Sequence, residues 1–102
     1  MASRLQLQTE LETILGTRNV YFQPPEGFKL QYPCIIYQLD AIRDNRANDK
    51  IYTKKKQYAI TIIDRDPDSI IPDTILESFN YCSFDRFFTS DQLNHFVLTL
   101  FY

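Results

Sequence analysis

The sequence has no tryptophan, two glycines, one methionine, one histidine and two cysteines in 102 residues. Each scarcity removes a class of chemistry. Gly16 and Gly27 stand too far apart to write either standard glycine-rich phosphate loop. Cys34 and Cys82 form no CxxC pair, and neither has a second Cys or His at ligand spacing, which argues against a structural zinc site. Nothing in their placement argues for a secreted disulfide scaffold. Basic residues are not in excess: 11 face 13 acidic ones, a formal net charge of -2. A chain that lived on nucleic-acid phosphates would be clearly basic. The start, Met-Ala-Ser-Arg-Leu-Gln, has no apolar signal core. No stretch approaches the roughly 20 apolar residues that span a bilayer. The expectation is a soluble protein of a reducing cytoplasm, with no membrane partner and no cofactor.

What is present reads as one globular domain, residues 1–102. Hydrophobic residues make up 44% and charged ones 24%, ordinary values that argue against disorder. Aromatics are abundant, with 7 Tyr and 8 Phe. That points to a β-rich protein with a bulky core or an adhesive surface.

Residues 4–15 carry Leu7, Leu11, Ile14 and Leu15 on one helical stripe, with Ser3 as a start signal and Gly16 as a stop. Gln6, Gln8, Glu10 and Glu12 form the expected outer face. Residues 19–23 read as a short strand closed by Pro24-Pro25. Residues 34–43 alternate as a second strand, with Ile35, Tyr37 and Leu39 on one side. Residues 44–50 are polar and turn-rich. Residues 51–65 form a long third strand in which Tyr52, Tyr58, Ile60 and Ile62 share a face. It is polar at one end and apolar at the other, so the hairpin tip, residues 44–56, is expected to protrude. Asp68 or Ser69 can cap a second helix, with Pro72 early and Ile71, Ile75, Leu76 and Phe79 inward. Residues 82–89 and 94–102 read as two further strands. The order is α-β-β-β-α-β-β, an α+β domain with one mostly antiparallel sheet and two helices on one face.

Few constellations suggest chemistry. Asp64, Asp66 and Asp68 match the opening of a calcium loop, but Ser69 stands where glycine is needed and Ile75 where a bidentate glutamate is needed. A strand end followed by a helix start, where acidic groups suit the positive helix end, is the simpler reading. His95 has Ser90, Asp91 and Cys82 as partners in sequence terms, with no nucleophile motif around any of them. A strand-edge histidine with a local hydrogen bond is expected, and no enzyme.

Charge is distributed unevenly. Residues 40–56 hold Arg43, Arg46, Lys50, Lys54, Lys55 and Lys56 against Asp40, Asp44 and Asp49. Residues 64–77 hold Asp64, Asp66, Asp68, Asp73 and Glu77 against Arg65. One reading is a solvated hairpin edge whose lysines block stray strand pairing. The other is a bipolar molecule in which a basic end of one copy meets an acidic end of the next. Weak contact with DNA phosphates is a third. Tyr21, Phe22, Tyr32, Tyr37, Tyr52, Phe87, Phe88, Phe101 and Tyr102 exceed what one small core hides, so some should surface.

Four stretches together resemble a known family: Asn19 through Pro25, Tyr32 through Tyr37, Tyr58 through Ser69, and Asp91 through His95. The pattern is similar to the tail terminator, or tail completion, group among the neck and tail proteins of long-tailed bacteriophages. The resemblance implies a non-enzymatic virion protein that forms a six-fold ring. Such a ring caps the tail-tube protein and offers its other face to the head-side connector protein. A head-completion or stopper-type neck protein, and a small phage binding module without a ring, are the neighbouring expectations. The resemblance implies a location in the virion neck, after assembly in the host cytoplasm.

Overall fold

The computed structural model describes the backbone of residues 4–47 and 50–102, and the side chains of residues 4–40 and 56–102. The elements follow the expected order: α1 (Arg4–Leu15), β1 (Val20–Phe22), β2 (Cys34–Ala47), β3 (Lys50–Asp64), α2 (Ile71–Ser78), β4 (Cys82–Ser90) and β5 (Leu93–Phe101). They build one α+β domain on a five-stranded sheet of order β1-β2-β3-β5-β4. Only the β1–β2 pair is parallel; the others are antiparallel.

Both helices lie on the same face of the sheet. Leu7 and Leu11 from α1 and Ile75 from α2 are fully buried against Ile35, Tyr37, Ile60, Ile62 and Leu98. These are the alternate positions that the period of two assigns to one face. Gly16 ends α1 at φ 84°, and its amide donates to the Glu12 carbonyl at 2.9 Å, a left-handed stop that glycine adopts without strain. The α1 outer face is narrower than expected. Gln8 and Glu12 are half-buried, and the Gln8 amide donates to the Val20 carbonyl at 2.8 Å and to Glu12 at 3.1 Å.

Two further expectations need correction. Residues 44–50 are not a broad turn: the β2–β3 ladder continues through Asn45↔Thr53, Arg46↔Ile51 and Ala47↔Lys50, with an irregularity at Asn45/Arg46. Only Asn48 and Asp49 separate the described strands, and they lie outside the described residues. In α2, neither Asp68 nor Ser69 is the N-cap residue. That position is Ile70, in a helical conformation with no side-chain cap bond. Ser69 still contributes, since its hydroxyl accepts the Ile71 amide at 3.3 Å. Pro72 falls in the first turn, where its missing amide proton costs nothing.

The sheet has a tail. β3 pairs with β5 only from Gln57 to Asp64, while β2 and β3 stay paired out to Ala47↔Lys50. Beyond Gln57 the two strands run on as a ribbon with no third described strand. Seven more residues at about 3.3 Å each reach roughly 20 Å past the sheet. The molecule is correspondingly long, 51 × 25 × 23 Å.

Candidate functional site

The ribbon carries the basic residues. Backbone register places Arg43 opposite Lys55, Asp44 opposite Lys54, and Ile42 opposite Lys56. Arg46 and Lys50 sit at its far end. Lys56 is exposed; the side chains of Arg43, Arg46, Lys50, Lys54 and Lys55, and the expected face of Tyr52, lie outside the described residues.

The acidic residues gather around the β3–α2 connection. The Asp66 amide donates to the Asp64 carboxylate at 3.1 Å, and the Asp68 amide to the Asp66 carboxylate at 2.9 Å. Asp64 and Asp66 therefore each fold the backbone that follows them, as side-chain turns. Asp66, Asp68, Asp73 and Glu77 are exposed and Asp64 is half-buried. Asn94 secures this corner: its side-chain amide donates to the Asp64 and Arg65 carbonyls at 3.1 and 3.2 Å. Among the described residues no group of three His, Cys, Asp or Glu could hold a metal ion.

Between this corner and β4 runs a groove of about 570 Å³. Asp68 and Asp73 lie on its helix side with Pro72 and Leu76, and Phe84 and Phe87 on its strand side. β4 is the outermost strand of the sheet. Every residue from Ser83 to Ser90 is exposed, with Phe84 at 51%, Phe87 at 47% and Phe88 at 41%. A bulge at Asp85 produces this arrangement. Phe84 pairs with Leu98 and Phe87 with Phe96, so both phenylalanines stand on the helix-bearing face. Phe87 and Phe88 surface, as the aromatic excess implies; Phe84 and Tyr81 join them. Tyr37 and Tyr58 are core. The β4 edge was not foreseen. Its best sequence signal is the FDRFF run, in which aromatic and charged residues break strict alternation.

His95 departs from expectation. It lies on β5, an interior strand, and its ring stacks on Phe88 with centroids 4.6 Å apart and planes 11° apart. Its Nδ1 is buried without a hydrogen-bond partner, so that nitrogen engages neither Ser90 nor Asp91. Cys34 and Cys82 are free thiols. They belong to β2 and β4, with β3 and β5 between them, too far apart to bridge. Burial pushes both thiols up to about 11, which leaves them protonated and weakly nucleophilic at neutral pH.

No helix among the described residues is long and apolar enough to cross a membrane. A scan against models of protein families gives no match, and no curated protein matches the chain.

Proposed function

We propose that this chain is a structural protein of the head–tail junction of a long-tailed bacteriophage, acting without catalysis. In this reading copies close into a ring that caps the tail tube and receives the head-side connector. The resemblance of four stretches spread over most of the chain supports the family. The observation that carries the assembly is the shape of the molecule with its charge: a basic ribbon beyond the sheet, and an acidic corner at the β3–α2 connection. Opposite charges on separate parts of one chain favour a head-to-tail contact, and a repeated head-to-tail contact closes into a ring when the rotation allows.

The test is location. Virions bearing a short epitope tag on this chain, labelled with gold and viewed by electron microscopy, should carry gold at the junction of head and tail. Gold on the capsid shell or at the distal tail tip contradicts the reading.

A further inference from the structure

We infer that neighbouring copies join by strand addition, with the ribbon of one copy adding its β3 edge to the free β4 edge of the next. The inference rests on the ring reading for its occupant, a second copy of this chain, and specifies a contact that the ring reading leaves open.

Four features converge on it. β4 ends the sheet, so one side of its backbone has no partner strand among the described residues. An edge strand of 9 residues is a template for another strand, and proteins ordinarily shorten, cover or charge such edges. The edge carries charge at Asp85 and Arg86 and a bulge at Asp85, yet it also shows Phe84, Phe87 and Phe88, large apolar groups that gain by being covered. The groove beside it supplies acidic groups, Asp68 and Asp73, which line it together with Phe84 and Phe87.

The ribbon is the complementary part. Residues 50–55 of β3 lie beyond the last pair with β5, Gln57↔Phe101, so that edge of β3 also has no partner strand among the described residues. Its sequence, Lys-Ile-Tyr-Thr-Lys-Lys, combines strand-forming residues with cations. Main-chain hydrogen bonds between two free edges would supply affinity. The lysines over Asp68 and Asp73 would supply direction and register. The contact uses different surfaces on its two sides, as a ring requires. DNA, the other polyanion that a basic ribbon suits, would leave the β4 edge and its phenylalanines uncovered.

Sedimentation velocity and amide hydrogen exchange test this on the full chain. Wild-type protein at high concentration should associate, and the amides of residues 83–89 should become protected as it does. The variant Lys54→Glu/Lys55→Glu/Lys56→Glu should stay monomeric, as should Asp68→Lys/Asp73→Lys. Mixing the two variants should restore association, because each then meets its complement; the rescue also shows that both are folded. Association with unchanged exchange at residues 83–89 overturns strand addition and leaves the ring standing. Failure of the wild type and of the mixed variants to associate at any concentration overturns both.

Discussion

Tyr37 is fully buried, yet its hydroxyl has two partners: it donates to the Gln8 carbonyl oxygen at 2.5 Å and accepts from the Arg4 guanidinium at 3.1 Å. Gln8 in turn binds the Val20 carbonyl, and Arg4 lies 4.5 Å over the Phe22 ring. A polar chain thus ties α1 to β1 and β2 at the floor of an apolar core. Burial raises the Tyr37 pKa, and Arg4 partly opposes the rise. Replacing the hydroxyl with hydrogen leaves the half-buried Gln8 and Arg4 each short of a partner, which costs about 1 kcal/mol. Tyr37→Phe should therefore lower the thermal midpoint by several degrees, roughly 4–8 °C per kcal/mol for a domain of this size. A midpoint equal to wild type in calorimetry would show that the network carries no stability. This network was only half legible in the sequence. Tyr37 sits in a clean alternation and reads as core, but Gln8 is polar and falls outside the Leu7–Leu11 stripe. Only the position of β1 beside α1 shows why a glutamine belongs there.

At the scale of elements, periodicity carried well where a strand or helix has one wet and one dry face. The α1 stripe placed Leu7 and Leu11, and the alternation in β3 placed Tyr58, Ile60 and Ile62, all of them core residues. Periodicity failed at β4, where the Asp85 bulge shifts the register by one. Phe84 and Phe87 then share a face that strict alternation would deny them. It failed also at residues 44–47, where polar composition suggested a turn but cross-strand pairing persists. The β4–β5 connection was illegible for a third reason. Asp91 and Gln92 both have positive φ, 54° and 63°, between the paired residues Ser90 and Leu93. That is a two-residue turn of the kind Asn-Gly favours, made here from residues that carry the strain of a Cβ. The double replacement Asp91→Asn/Gln92→Gly should relieve it and stabilise the domain by about 1 kcal/mol. The midpoint of urea unfolding should rise with the slope unchanged; an equal or lower midpoint would contradict the strain.

The whole molecule is a small sheet with helices on one face, a basic ribbon beyond it and an acidic corner and aromatic edge at β4. Its charge separation was legible from composition by segment, because runs such as Lys54-Lys55-Lys56 survive any folding. The acidic part of the proposed receiving surface was legible in the same way, but its β4 part was not. It depends on sheet order, which puts β4 at the edge and α2 beside it although neither neighbours the ribbon in sequence. The most direct measurement of the central claim is covalent. On a Cys34→Ala/Cys82→Ala background, cysteines are placed at Thr53 in the ribbon and Pro67 beside the groove, and assembled particles are treated with a short thiol crosslinker. The account predicts a ladder of covalent oligomers of this chain, from dimer upward, that is absent when either added cysteine is omitted. Crosslinks confined within single chains, or none in intact particles, would contradict it.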